Sequence, residues 1–320
     1  MMSQQQSMGS GIQKIIRWVV ATALLILLVP LASCQSSGNS LVLVDPVVQP
    51  PAINTAGVLR VGVDSSHPPY AGQSNNQLIG LDVDLAAALA EQLGLTVQIV
   101  DIAGQDANQL FQNGQIDVML GYQPADETTS PFVLIGPYLY TGPAVFTVAL
   151  SAPSGSFDPS TLNGLKIAAQ ADSASAYQVT TTFGPDALQS FTEMKEAFAA
   201  VAAGTISYVA ADAVAGGHQS TRYENFQCLG FLSTPGRVYI AVAAGNQPLT
   251  EALTSAARTL RDNGILRVIV NKWLGPTVTN LVLGSGAIMG TNDAGSGGDT
   301  GGNLPDPGNA NSSDSSGNQP

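Results

Sequence analysis

Four side chains in this sequence have the types and places to hold a small charged or polar molecule. Asp212 follows the apolar run "TISYVAA" and so stands at the carboxyl end of a strand. A carboxylate there can hold a cation through a charge-assisted hydrogen bond, or it can cap the helix that follows. Tyr70 closes "HPPY" just after the first strand; an aromatic ring beside a cleft walls a pocket, unless it is only packed within its loop. Tyr122 directly follows the strand "IDVMLG" and is expected to face the same crevice, the alternative being plain exposure to solvent. Asp172, with Ser173 beside it, follows the strand "LKIAAQ". There it would repel an anion, or cap the next helix. No metal centre, cofactor or catalytic residue is assigned. The two histidines, His67 and His218, lack metal-ligand spacing, and neither a G-x-S-x-G turn nor a P-loop occurs.

Alternating strands and helices must position these groups. "VLRVGV" reads as a strand, "DVDLAAALAEQLG" as an amphipathic helix with Val83, Ala86, Ala87 and Ala90 on one face, and "TVQIVDI" as the next strand. A short helix, "DANQLFQNG", leads into "QIDVMLGY". The pattern then repeats through "LKIAAQ", "SASAYQVTTTF", "MKEAFAAVAAG" and "TISYVAADA". This βαβα alternation predicts two α/β lobes of one plan, each with a parallel-rich sheet covered on both faces. Ligands of such sheets sit beyond the carboxyl ends of the strands.

The expected organisation is a leader at residues 1–33, a tether at 34–56 and the first lobe at 57–143. A hinge strand at 144–150 crosses to a second lobe at 151–236. Residues 237–246 form the returning hinge strand, 247–283 are helices that pack back on lobe one, and 284–320 form a disordered tail of Gly, Asn, Asp, Ser and Pro. The leader has positive Lys14 and Arg17, a short apolar run, then Leu31-Ala32-Ser33-Cys34. That order fits export followed by lipidation of Cys34, which anchors the protein to the outer face of a membrane. The other cysteine, Cys228, sits among apolar residues and reads as a small buried side chain. With 11 Lys and Arg against 23 Asp and Glu, the chain lacks the basic footprint that nucleic acid requires.

The segments "GVLRVGVDSSHPPY", "IGLDVDLAAALAEQLG", "LFQNGQIDVML", "GPYLYTG", "LNGLKIAAQ", "YIAVAAGN" and "LRDNGILRVIVNKWLG" occur in an order that resembles the bacterial extracellular solute-binding proteins of family 3, which deliver amino acids and related polar solutes to ABC importers. The resemblance covers residues 57–275. It implies a monomer of two lobes on a two-strand hinge, closing over a small-molecule ligand, with a membrane permease as partner. It also implies that Tyr70 stacks on the ligand and that Asp212 receives its ammonium. The sequence departs from the family on the anion side. The Thr-x-x-Arg that holds a ligand carboxylate falls at Ala125 and Thr128, and no Lys or Arg occurs anywhere from residue 61 to 165. Arg60 opens its strand and so lies at the wrong end of the sheet. The ligand is therefore expected to be neutral or cationic, with Tyr70, Tyr122, Thr128, Asp172, Ser173 and Asp212 about it. A sensor that reports to a membrane receptor is one alternative. A dehydratase-like enzyme on the same fold is another, but its dicarboxylate substrate would need cations that lobe one is not expected to offer.

Overall fold

The computed structural model describes residues 45–148 and 157–284. The expected leader, Cys34, the start of the tether, residues 149–150 of the first hinge strand and the tail beyond Gly284 lie outside the described residues. Two five-stranded sheets form the body of the protein. The first contains β1 (Val58–Val63), β4 (Thr96–Asp101), β5 (Val118–Tyr122), β6 (Phe132–Thr141) and β12 (Gly236–Ala243), in the order β4-β1-β5-β12-β6. A hairpin of β2 (Gly72–Ser74) and β3 (Gln77–Ile79) stands beside it. The second sheet contains β7 (Pro143–Val148), β8 (Ile167–Gln170), β9 (Leu188–Phe191), β10 (Tyr208–Asp212) and β11 (Phe226–Phe231), in the order β11-β7-β10-β8-β9.

Each sheet is parallel apart from one strand: β12 runs against β5 and β6, and β7 runs against β10 and β11. The reversal follows from the route of the chain. It leaves the first sheet at the carboxyl end of β6 and enters the second through β7, beside the carboxyl end of β10, where Asp212 pairs with Pro143. A strand that enters a sheet at its carboxyl edge must run against its neighbours. The same applies on the way back, where β12 starts at Gly236 opposite Thr141.

The expected hinge strands at 144–150 and 237–246 therefore do not span the gap over their described residues. β7 belongs wholly to the second sheet and β12 wholly to the first. The chain passes between sheets at Gly142 and at residues 232–235. Gly142 has φ 135°, a value that favours glycine. Its carbonyl accepts from the amide of Ala213, and that of Pro143 accepts from Leu232. The two crossings are thus tied to the second lobe at their roots.

The helices are α1 (Leu81–Gln92), α2 (Ala107–Gln112), α3 (Ala174–Phe183), α4 (Met194–Ala202), α5 (Ala213–Ser220), α6 (Gln247–Asp262), α7 (Ile265–Leu274) and α8 (Pro276–Val282). In α1 the buried face is Leu81, Leu85, Ala86, Leu89 and Ala90, while Ala87 is exposed. The leucine row at i, i+4 carries more apolar area than the expected Val83–Ala87 side and sets which face turns inward. Residues 45–56, expected as tether, also pack down. Val48 and Ile53 are buried, and the amide of Val47 donates to the carbonyl of Leu93.

The last three helices do more than return to lobe one. α6 packs on β6 and α1, but α7 touches both α1 and α5, and α8 touches α5, β11 and β6. Side chains fasten this contact. Asp84 Oδ2 accepts from Trp273 Nε1 at 2.7 Å and from Lys272 Nζ at 2.6 Å. On the other side His218 Nδ1 lies 2.8 Å from the carbonyl oxygen of Trp273. A carbonyl only accepts, so Nδ1 carries the proton. α7 is thereby held by α1 of one lobe and α5 of the other.

Candidate functional site

Asp212 ends β10 and is also the N-cap of α5, which is the capping role expected as one of its two readings. Oδ1 accepts from the amides of Val214 at 2.9 Å and Ala215 at 3.0 Å. Oδ2 turns to the other lobe and accepts from Thr141 Oγ1 at 2.5 Å and from the amide of Gly142 at 3.0 Å. These four donors use about four lone-pair directions, which is what a carboxylate offers. Asp212 thus ties the end of β6, the crossing and the start of α5 into one point.

Tyr70 comes to the same point from the turn after β1. Its hydroxyl is buried and makes no hydrogen bond of good geometry, with the Thr141 hydroxyl as its near neighbour. Burial, then the facing carboxylate of Asp212 and more weakly Asp82, push the phenol well above its ordinary range, against the hydroxyl of Thr141 beside it. A buried hydroxyl without a partner costs free energy that a bonded one does not. The structure thus brings Tyr70 and Asp212 together, with Thr141 between them.

Beneath them lies a polar group that the sequence reading missed. Asp82 is fully buried in the first turn of α1, and its Oδ1 accepts from Tyr138 Oη at 2.7 Å. Tyr138 Oη in turn accepts from the amide of Gly121 at 2.9 Å. Burial pushes the Asp82 carboxyl up to about 7, opposed by the Tyr138 bond. Burial and the adjacent Asp82 also drive the Tyr138 phenol far up. This trio links α1, the end of β5 and β6 directly under the Tyr70 turn, where the Asp82 amide also donates to the Tyr70 carbonyl. Tyr138 directly follows Gly136-Pro137 and Asp82 opens an apolar helix, but nothing local in the sequence says that the two side chains meet.

The other expected site residues are elsewhere. Tyr122 packs its ring edge-on against Phe132, with centroids 5.3 Å apart, in a cluster with Phe111 and Met119. Thr128 is exposed, and both its amide and its hydroxyl donate to Asp126 Oδ1. Asp172 is exposed in a left-handed turn with φ 58° and caps nothing. The cap of α3 is Ser173, whose Oγ accepts from the amide of Ala176 at 3.1 Å and donates to the carbonyl of Gln170 at 2.7 Å. Arg60 is where its position at the strand start puts it, away from the crevice, paired with buried Asp117. Cys228 is only half-buried as a residue, but desolvation pushes its thiol up to about 12, so it stays protonated and unreactive.

The carboxyl edge of the first sheet is acidic. Asp64 follows β1. Burial works against its charge, but bonds from Ser66 and His67 hold its carboxyl below the usual range. Asp101 ends β4 and accepts from Ser65 Oγ at 2.6 Å, which also holds it low. Glu127 follows β5 and meets one cation, Arg237 at the start of β12, at 3.1 Å. The sequence reading placed Arg237 in a hinge strand. Because β12 is antiparallel, its first residues share the edge where β5 ends. Among the described residues there is no cluster of three or more metal-ligating side chains, and no helix is long and apolar enough to cross a membrane.

The sequence model of the bacterial extracellular solute-binding proteins, family 3, matches residues 59–276. The arginine-binding protein ArgT of Corynebacterium glutamicum is 26% identical over 272 residues, covering 76% of this chain and 86% of the relative. Among solved structures, the substrate-binding protein of a polar amino acid ABC uptake transporter from Streptococcus thermophilus aligns with TM-score 0.61 at 21% identity, over 69% of this chain and 88% of its own. An ancestral cationic amino acid solute-binding protein aligns with TM-score 0.56 at 24% identity, over 68% of this chain and 96% of its own. Both structures share the two-lobed fold described above. With two sheets meeting at their carboxyl edges and a polar point at the crossing, the chain belongs to the bacterial extracellular solute-binding proteins, family 3, and serves as the substrate-binding component of an ABC importer.

Proposed function

We propose that the protein captures a small amino-acid-like solute, cationic or neutral, at the crossing between its lobes, and hands it to a membrane permease without changing it chemically. The observation that carries this reading is the Tyr70 hydroxyl, buried and unpartnered beside the Asp212 carboxylate. Asp212 is already saturated, so an incoming ammonium must take the place of one donor. The Thr141 hydroxyl is the one that can turn, because the other three donors are backbone amides. On turning, it finds an acceptor in Tyr70 Oη, and Oδ2 is left for the ligand nitrogen. The exchange keeps every buried polar atom bonded, as a low-dielectric site demands. The ring of Tyr70 would lie against the bound cation, a contact worth roughly 0.5–2 kcal/mol.

The ligand's neighbours in this reading are Tyr70, Thr141 and Asp212 rather than the full set expected from sequence. Tyr122, Thr128 and Asp172 have no part in it, and Ser173 acts only as a helix cap. The functional unit is a single chain. Its lobes are residues 57–141 with 236–283, and 143–231. It is held at the outer membrane face by lipid on Cys34.

Calorimetry against cationic, neutral and acidic amino acids, polyamines and quaternary amines tests the reading. Cationic or neutral compounds should bind. Tyr70→Phe should weaken them at least fivefold while leaving the unfolding midpoint unchanged or raised, since it deletes an unsatisfied group. Tightest binding of an acidic amino acid, or a Tyr70→Phe variant with full affinity, would refute it.

A further inference from the structure

One buried titratable group plays no part in the exchange proposed at Asp212. Asp82 is 2% exposed and stands in the first turn of α1. Its Oδ1 accepts from Tyr138 Oη. Its Oδ2 lies against the backbone of Gly121, where a Cβ would come within 2.9 Å of it. Among the described residues no cation faces this carboxyl from any element packed on α1. On α6, Arg261 bonds the carbonyl of Pro137 and Arg258 is exposed. On α7, Lys272 is taken by Asp84, and Arg267 bonds Asn280. On β1, Arg60 belongs to Asp117 at the far end of the sheet. Asp101 of β4 is bound to Ser65, and Tyr122 of β5 turns to Phe132. In the turn after β1, His67 and Asp64 pair with each other. One neutral donor does not offset the loss of water around a carboxylate, so Asp82 holds its proton up to about 7.

The Tyr70 turn rests directly on this group. The amides of Leu81 and Asp82 donate to the carbonyls of Pro69 and Tyr70 at 3.0 and 2.9 Å. A Cβ on Gly80 would lie 2.2 Å from the Tyr70 carbonyl oxygen, so the helix start and the turn are in contact. The charge of Asp82 is already felt at the Tyr70 phenol, together with that of Asp212. A cation held between the Tyr70 ring and Asp212 would feel Asp82 from beneath. The effect is reciprocal: the attraction that an ionised Asp82 adds to cation binding equals the loss of proton affinity that the bound cation imposes on Asp82.

We infer that Asp82 is a specificity-determining residue of the solute site: it gives up its proton to solvent when a ligand of net positive charge is captured, and so favours that ligand over a neutral one of similar shape. The inference rests on the proposed capture at Tyr70 and Asp212 and narrows the ligand to a cationic amino acid or an amine. Below about pH 5 the carboxyl is protonated with or without ligand and adds nothing. Above about pH 8 it is ionised in both states and its attraction is fully present. Affinity for a cation therefore rises across this window. In a neutral amino acid the carboxylate offsets the ammonium, and the rise is smaller.

The test is calorimetry on the full chain with arginine, glutamine and putrescine at pH 5.5 and pH 8, each in two buffers of different ionisation enthalpy. Arginine and glutamine share an α-amino group and a carboxylate, so their ratio cancels the titration of both. The ratio of arginine to glutamine affinity should rise at least threefold from the lower to the higher pH. Near pH 7, arginine should release more protons than glutamine. Asp82→Asn should flatten the ratio and abolish the release. His67→Gln removes the other titrating group of the turn and should keep both. Tyr138→Phe serves if Asp82→Asn does not fold: it deletes the one donor that favours the charge, so the rise should move to higher pH. Should putrescine alone bind, its own affinity and proton release carry the test. A pH-independent ratio, tighter binding of glutamine than of arginine at pH 8, or an undiminished rise in Asp82→Asn overturns the inference and leaves the site at Asp212 standing. A rise that keeps its position in Tyr138→Phe does the same. If none of the three compounds binds, the solute-binding reading falls and the inference with it.

Discussion

The buried Asp82 carboxyl gives the residue scale its sharpest handle. Its pKa in the folded state is pushed up to about 7 from an ordinary carboxylate value by complete burial. A group raised on folding contributes stability that is fully present below its unfolded pKa and is lost as pH rises through its folded value. Asp82 therefore favours the fold near pH 4 and works against it above pH 7. Asp64 and Asp101, held low by their bonds, pull the other way as pH falls. The difference between the native chain and Asp82→Asn isolates the group. Asparagine still accepts from Tyr138, so the variant should gain stability relative to the native chain as pH rises from 5 to 8. Urea unfolding at the two pH values checks it, and an unchanged difference would mean that Asp82 is not the titrating group. At this scale the sequence was partly legible. Asp212 and Tyr70 could be placed beside the carboxyl edges of the sheets because strand ends can be read from apolar runs. Tyr122 was misplaced because the last residue of a strand can turn to either face, and only Phe132 and Phe111, distant in sequence, decide which. The end of the sheet at which Arg237 stands could not be read, because it depends on a strand direction that no local pattern encodes.

At the scale of elements, the contact between α5 and the C-terminal helices depends on two small residues. A Cβ on Gly217 would lie 2.7 Å from Val278 Cγ2, and one on Gly216 would lie 2.6 Å from the ring of Phe146. Both distances are too short for an unstrained contact, so α5 sits close to α8 on one side and to β7 on the other only because these positions lack side chains. Gly217→Ala should destabilise the protein by about 1–3 kcal/mol through overpacking, seen as a lower unfolding midpoint; an unchanged midpoint would show that α8 can move aside freely. The alternation of strands and helices, and hence the two matched lobes, could be read from periodicity. The expectation that the last helices serve only lobe one could not be corrected from sequence, because α8 chooses its partners by shape against α5 and β11 rather than by pattern.

For the whole molecule, two lobes joined at Gly142 and at residues 232–235 should draw together when a ligand fills the gap. Small-angle scattering of the native protein with a saturating ligand should give a smaller radius of gyration than without; equal values with a ligand proven to bind would argue against closure. Attachment is a separate property. Cys34→Ser should shift the protein from the membrane fraction to the medium or leave it unprocessed, and a processed, membrane-bound variant would place the anchor elsewhere. The clasp of Asp84, Trp273 and His218 has a further consequence, which is optical. The chain contains two tryptophans, Trp18 and Trp273, and the first lies in the proposed leader, which maturation would remove. Emission from the mature protein would then come from one indole, whose N–H points at a carboxylate of lobe one and whose own carbonyl is held by a histidine of lobe two. Any rotation of one lobe against the other changes the field across that ring. Solute capture should therefore shift the colour or yield of the intrinsic fluorescence without any attached dye, and Asp84→Asn should alter that signal while leaving the ligand's own contacts untouched.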